Sequence, residues 1–309
     1  MVTPDGASHA GAMTLDQLRI FTAVAERQHV TRAAEALNMA QSAVSAAVAA
    51  LEGRHGTRLF HRVGRGIELT EAGTLFLVEA RAVLARVEQA ELVLAELGGL
   101  MRGTLRVSAS KTIASYWLPR HLLAFRRAHP GIAVSLDIGN TAEVAAAVTT
   151  GTAELGFVEG QLESAALSQA VVAHDQLVVV VAPDHPWAGR DRLTAAELLD
   201  GEWILREQGS GTRSVFEATL RAAGVDPAAL NVVLTLPSNE AVRAAVEAGT
   251  AAAAISASVA VPSLEAELLR QVPFPMPPRA FSALWHTERH RSRAASTLLD
   301  MIGSRREQA

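Results

Sequence analysis

The chain has 309 residues and no cysteine. That excludes disulfides, thiolate zinc sites, thiolate-bound iron–sulfur clusters and cysteine nucleophiles. Aromatics make up 4%, with a single tyrosine, so broad base-stacking platforms are not expected. Lysine is nearly missing: of 28 basic residues only Lys111 is not arginine. No apolar run reaches the ~20 residues that a membrane span needs. Residues 1–13 lack the basic start and apolar core of a secretory signal; they read as a disordered leader, and the protein as cytoplasmic. Bulk positive charge is also lacking, with a net charge of −4. Any affinity for nucleic acid must therefore come from local clustering. What is present is apolar: 49% hydrophobic against 19% charged, enough for buried cores, in a length that favours two or three domains.

Residues 14–100 read as helix, apart from a basic interruption at 55–69. From Gly103 onward β-rich runs alternate with helical stretches: Thr104–Val107, Val134–Ile138, Leu155–Val158, Gln176–Ala182, Trp203–Leu205, Val232–Leu236, Ala252–Ile255 and Phe281–Trp285. Such alternation predicts an α/β domain with mostly parallel sheets. Gly98-Gly99 marks the boundary. Pro273, Pro275, Pro277 and Pro278 mark a stiff crossing late in the chain.

Thr14 and Gln17 have the spacing of a capping box, followed at helical spacing by Leu15, Leu18, Phe21 and Ala25. Thr31 is placed to cap a second short helix, Arg32–Leu37. A third helix, Gln41–Gly53, buries Val44, Val48 and Leu51 on one face. Its first turn offers Gln41, Ser42 and Ser45, and its outer face continues as Ala46, Ala49 and Ala50. Small side chains there allow close approach to a phosphate backbone or thymine methyls; the alternative is an alanine-rich packing helix. Arg54, Arg58, Arg62 and Arg65 then cluster with no acid between Glu52 and Glu68. Gly64 and Gly66 bracket Arg65 at a hairpin tip, a placement suited to the minor groove. The alternative is a solvated charge run.

Thr70 caps a long helix, Glu71–Leu97. Leu75, Val78, Ala82, Ala85, Leu92 and Ala95 form a stripe that fits a dimer coiled coil; the alternative is a single solvent-bridging helix. Beyond it, four strand-to-helix junctions carry small hydroxyl or glycine residues: Ser108–Thr112, Gly139–Thr141, Gly209–Thr212 and Pro237–Asn239. Helix N-termini bind anions through unpaired N–H groups, and each hydroxyl could equally be a cap. Lys111, Arg206 and Arg213 could add positive charge. Four such sites suggest a shared cleft for a small anion, either an inorganic oxyanion such as sulfite or sulfate, or a small carboxylate.

Residues 14–73 resemble the winged helix-turn-helix of LysR-type transcriptional regulators. The stretch from Thr31 to Ser45 carries the likeness, with Leu51-Glu52, Arg58–Arg62 and Leu69–Gly73. Ala40, Ser42 and Ala46 depart from the family pattern. Residues 103–303 resemble the family's effector domain, through Leu118-Pro119, His129–Gly131, Gly139–Thr141, Leu155–Gly160, Asp184–Trp187 and Arg206–Arg213. The Gly-Asn-Thr, Val-Glu-Gly and Gly-Ser-Gly-Thr-Arg motifs look most like the subgroup of sulfur- and sulfite-metabolism and carbon-fixation regulators; Lys111 and Gln208 depart from it.

The resemblance implies an α+β multidomain chain. A winged helix-turn-helix would occupy 14–70 and a linker helix 71–101. A two-lobed α/β periplasmic-binding-protein-like effector domain would occupy 102–309, with lobe I at 102–172 and 278–309 and lobe II at 173–277. It implies promoter DNA as partner, a homodimer through the linker helix and a homotetramer, and no membrane, metal or cofactor. DNA contacts would fall on Thr31, Arg32, Gln41, Ser42, Ser45, Arg54, Arg62 and Arg65. Effector contacts would fall on Ser110, Lys111, Thr112, Asn140, Thr141, Glu159, Arg206, Gly209, Ser210, Thr212, Arg213 and Ser238. Lobe crossings near Val172–His174 and Phe274–Pro278 would act as hinges. A solute-binding protein for a small anion is the alternative, although it leaves residues 14–97 without a role. An enzyme fits less well, since Walker, nucleophile-elbow and His-Glu-x-x-His motifs are all missing.

Overall fold

The computed structural model describes residues 13–64, 66–97, 103–160 and 162–306. Residues 1–12 of the expected leader, Arg65 and the Gly98–Gly99 boundary lie outside the described residues. The chain forms two compact units, Met1–Leu94 with Thr150–Thr152, and Ala95–Thr149 with Ala153–Ala309.

In the first unit, α1 (Leu15–Arg27), α2 (Val30–Ala36) and α3 (Gln41–His55) are followed by a hairpin, β1 (Phe60–Val63) and β2 (Gly66–Leu69), and by α4 (Glu71–Leu97). Thr14 and Gln17 form the expected reciprocal cap of α1. Thr31 does not cap α2. That helix starts one residue before it, and the His29 ring accepts the Arg32 N–H instead. Phe21 anchors the core, its ring 5.4 Å from Phe60 and 4.8 Å from Phe76. Gly73 is obligatory, since a Cβ there would lie 2.1 Å from the Leu59 carbonyl oxygen. The Thr70 hydroxyl accepts the Gly73 N–H at 3.0 Å and so caps α4. On that helix Leu75 and Val78 are exposed, Ala82 is half-buried and Ala85 is buried. The side chains of Leu92 and Ala95 lie outside the described residues.

The second unit runs β3 (Gly103–Ser110), a π-helical turn (Ile113–Trp117), α5 (Leu118–Ala128), β4 (Ile132–Gly139), α6 (Thr141–Thr150), β5 (Leu155–Glu159), β6 (Leu167–Val181) and β7 (Glu202–Arg206). It continues through α7 (Gly211–Ala222), β8 (Asn231–Leu236), α8 (Asn239–Glu247), β9 (Ala253–Ser256), α9 (Ala257–Glu265), β10 (Arg270–Val272), β11 (Pro278–His286) and α10 (Arg293–Arg306). All eight expected strands are present, and the short β10 is an addition.

The mostly parallel sheet needs correction. β3 pairs in parallel with β4 and β5, and β7 with β8. β6 and β11 run antiparallel to their partners. The reason is that β6 is one long strand serving two sheets. Its first part pairs with β11, and its last part pairs with β9 and β10. The chain thus leaves one lobe on β6 and re-enters it on β11 in the opposite direction. The ladder shifts register between Phe281 and Ser282, which leaves Val172 as an extra residue. This bulge, rather than a break in the strand, marks the expected crossing.

Leu105, Phe125, Phe157 and Leu298 form the core of the first lobe, and Leu177, Val179, Trp203 and Phe216 that of the second. β3, β4 and β5 point the same way, so Ser110, Gly139 and Glu159 end side by side, at the carboxyl edge where open α/β sheets hold ligands.

Candidate functional site

The first site is the outer side of α3. Val44 and Leu51 fix its inner side, at 0% and 1% exposure. Gln41, Ser42 and Ser45 therefore point outward and are exposed. Asn38, at φ 51°, makes the tight turn between α2 and α3. Ala40 gives α3 no side-chain cap. Thr31 is half-buried on α2, and Arg32 beside it is exposed. Arg54 is exposed in the last turn of α3, and Arg62 faces solvent on β1 opposite Ile67. Among the described residues, none of these side chains makes a hydrogen bond or an ion pair. Between α3 and the hairpin runs an open groove of about 520 Å³, bordered by Ser45, Ala49, Arg58, His61, Arg62 and Ile67.

Glu52 was not foreseen as important. Its carboxylate accepts the Leu59 and Phe60 N–H groups at 2.7 and 3.0 Å, which locks the hairpin to α3. Its place at the end of the clustered arginines suggested a mere boundary of charge.

The second site lies between the lobes of the second unit, and most of the expected residues meet there. Ser110, Thr112, Thr141, Glu159, Arg206, Ser210 and Thr212 are each less than 9% exposed. Thr141 donates to the Glu159 carboxylate at 3.3 Å. Gly209 reaches across to accept the Ala142 N–H at 3.2 Å. Gly211 packs so tightly against the other lobe that a Cβ would lie 2.6 Å from the Thr141 hydroxyl and 2.9 Å from the Glu159 carbonyl oxygen.

The expected cations are all paired. Lys111 donates to Glu207 at 3.2 Å and to the Pro237 carbonyl. Arg206 grips the same Glu207 through two bonds of 2.7 and 2.9 Å. Arg213 pairs with Glu217 at 2.7 Å. Burial alone would raise the Glu207 carboxyl pKa; the bonds from Arg206, with help from Lys111, outweigh it and hold the pKa below the usual range.

Two expected residues serve mainly as caps. Asn140 and Glu143 cap each other reciprocally at the start of α6. Ser238 accepts the Ala241 N–H and gives its own proton to Glu240. Tyr116 also donates to Glu240 across the cleft at 3.2 Å.

Glu207, Asn239, Asp175 and Arg279 were missed. Asn239 is fully buried and donates to the Thr112 hydroxyl at 2.9 Å. Arg279 pairs with Asp175 at 2.6 Å and donates to the Thr212 hydroxyl at 3.0 Å. The only sequence signal for Asn239 is its place directly after a capping serine.

Among the described residues no group of three His, Asp or Glu side chains could hold a metal ion, and no helix is long and apolar enough to cross a membrane.

These two sites correspond to two known domain families. The bacterial regulatory helix-turn-helix protein, lysR family, matches residues 15–74, and the LysR substrate binding domain matches residues 98–307. The chain belongs to the LysR family of transcriptional regulators. It is a regulator that joins a DNA-binding domain to a ligand-binding one, and not an enzyme.

It is 34% identical to the uncharacterized HTH-type transcriptional regulator YeiE of Escherichia coli (strain K12), over 93% of this chain and 96% of that protein. It is also 34% identical to the RuBisCO operon transcriptional regulator of Allochromatium vinosum, over 79% of this chain and 80% of that one. That relative bears out the likeness to carbon-fixation regulators. The regulatory domain of Synechocystis PCC6803 CcmR, solved in complex with 2-PG, is 28% identical with a TM-score of 0.60, covering 66% of this chain and 97% of that one.

Proposed function

We propose that this LysR regulator reads operator DNA through the first turn of α3 and responds to a small anion held between the lobes of its C-terminal domain. Gln41, Ser42 and Ser45 enter the major groove. Arg62 and Arg65 follow the backbone or minor groove, and Thr31, Arg32 and Arg54 contact phosphates. The observation that carries the DNA reading is that Gln41, Ser42 and Ser45 are exposed without partners on a helix whose other side Val44 and Leu51 lock into the core. The protein works in the cytoplasm, where the DNA is.

The anion reading rests on buried hydroxyls. Ser110 is 2% exposed, and its Oγ has no hydrogen-bond partner. A buried hydroxyl without a partner costs about 1–3 kcal/mol, and a bound anion would satisfy it. The CcmR regulatory domain was solved with 2-PG; here the same class of ligand, a small anion, would sit near Ser110, Thr112, Thr141, Ser210 and Thr212. Lys111, Asn140, Glu159, Gly209, Arg213 and Ser238 would border it, with Arg206 in the layer behind.

Two copies would pair through α4, whose Leu75 and Leu94 are 68% and 70% exposed, and two such dimers would form a homotetramer.

Gel shifts with a promoter fragment test the DNA half. Arg65→Ala should flatten the salt dependence by about one unit of slope, and an unchanged slope removes the hairpin tip from the interface. Calorimetry with sulfite, sulfate, phosphate, small carboxylates and 2-PG tests the anion half. Heat from none of them removes it. Leu75→Asp should dissociate the dimer in sedimentation, and an intact dimer excludes this seam.

A further inference from the structure

We infer that the cleft holds its anion through neutral hydroxyls whose donor direction is set from behind by two buried arginines, Arg206 and Arg279, neither of which touches the ligand. This rests on the anion reading above and goes beyond it, because it assigns the orientation of the hydroxyls to residues in a second layer.

The geometry forces the direction of each bond. Arginine has N–H donors and no acceptor. Arg206 Nη1 donates to Asn239, so the Asn239 oxygen must face the guanidinium. Its NH₂ group must then face Thr112, and Nδ2 lies 2.9 Å from Oγ1. Thr112 therefore accepts, and its own proton remains to be donated. Among the described residues that proton has no acceptor.

The same logic holds on the other side. Arg279 places Nε and Nη2 on Asp175 at 2.8 and 2.6 Å and its remaining arm, Nη1, on Thr212 Oγ1 at 3.0 Å. Thr212 accepts that bond, and its proton also has no acceptor among the described residues. Ser110 supplies a third hydroxyl with a free proton, its Oγ having no partner among the described residues. Thr112, Thr212 and Ser110 are 1%, 2% and 2% exposed, while Arg206, Arg279 and Asn239 behind them are 4%, 3% and 0% exposed. Thr212 accepts directly from a cation and Thr112 from an amide that a cation polarises; such chains in a low-dielectric site make the hydroxyl a stronger donor. The site thus offers oriented, polarised O–H groups to a negative charge, while Glu207 and Asp175 keep the arginines from reaching in.

The test is calorimetric titration of the full chain with inorganic sulfate, sulfite, phosphate and 2-PG, with thermal melting of every variant. Thr112→Val and Thr212→Val should each weaken the probe that binds by about tenfold or more, and Thr→Ser at either position should restore binding. Asn239→Leu leaves the Thr112 hydroxyl in place but cuts it from Arg206. It should weaken binding as much as Thr112→Val, with no further loss when the two are combined. Asp175→Asn with Arg279→Met removes the second relay without leaving a lone buried charge, and should behave the same way toward Thr212→Val. The two relays are independent, so one set of folded variants decides if the other melts.

Folded relay variants with wild-type affinity, beside weakened valine variants, overturn the relay and leave the anion site standing. Losses that simply add have the same meaning. A probe that binds wild type and the Thr112→Val, Thr212→Val double variant equally overturns the site itself, and so does the absence of binding to any protein.

Discussion

The outer side of α3 and the floor of the cleft both carry serine and arginine, in opposite conditions. On α3 they are exposed, and among the described residues their side chains make no bonds. In the cleft the polar groups are mostly buried or half-buried, and most are bonded to another part of the chain: Lys111 to Glu207, Asn239 to Thr112, Arg279 to Asp175 and Thr212. A face that meets a large polyanion in water can leave its donors to the solvent until the partner arrives. A pocket for a small ligand lies in low dielectric, where an unpaired charge is costly, so its charges are neutralised in advance and its selectivity rests on the few groups left over.

That contrast predicts that breaking a buried pair in the cleft damages folding, and that changes on the outer side of α3 damage only recognition. The largest effect should come from Arg279→Met, which leaves Asp175 buried without its cation. The second unit should lose about 3–5 kcal/mol in urea unfolding, and Asp175→Asn in the same chain should recover much of it. A loss below about 1 kcal/mol would mean that water reaches this pair. Next is Glu52→Ala, which strips two backbone N–H groups of their acceptor in the DNA-binding unit. A loss of about 1–3 kcal/mol is expected, together with weaker binding to every DNA sequence.

Gln41→Ala and Ser45→Ala sharpen the comparison. Each should leave stability within about 0.5 kcal/mol of wild type while reducing preference for the operator by about 0.5–1.5 kcal/mol in competition gel shifts. A stability loss as large as that of Glu52→Ala would place these residues in the core rather than on the reading face.

The smallest effect is a pH dependence. Burial lowers the His185 pKa, opposed in part by Asp184. A depressed folded pKa means that the fold prefers the neutral ring. Stability should therefore be complete above the unfolded value of about 6.5 and fall as pH drops below it. His185→Asn, which keeps an acceptor for the Trp187 N–H that Nδ1 now takes at 3.0 Å, should flatten the melting temperature between pH 6.5 and 5. A persistent slope would assign the effect to another group.

Much of the first unit was legible in the sequence because its information is local. The capping box at Thr14, the cap at Thr70 and the inward face of α3 depend on residues three to seven apart. The misplaced cap at α2 came from treating Thr31 as the natural N-cap, when the His29 ring, three residues before Arg32, takes that N–H. In the cleft the residue types and their junctions were legible, because strand ends and helix starts announce themselves. Their pairing was not. Lys111, Arg206 and Arg213 looked like free positive charge, yet each has an acid beside it.

Period, capping residues and motif spacing by themselves determined that this chain carries a helix-turn-helix, a long helix and an α/β domain with hydroxyl-lined strand ends, because each is set by neighbours within a few residues. Only the tertiary structure decided that β6 serves two lobes, that Glu207 neutralises two cations at once, and that Asn239 and Arg279 stand behind Thr112 and Thr212. Those contacts are long-range: Lys111 is 96 positions from Glu207, Thr112 is 127 from Asn239 and Thr212 is 67 from Arg279. No local preference specifies them; they arise when the buried faces of two lobes are packed together and every charge taken out of water has to find a partner.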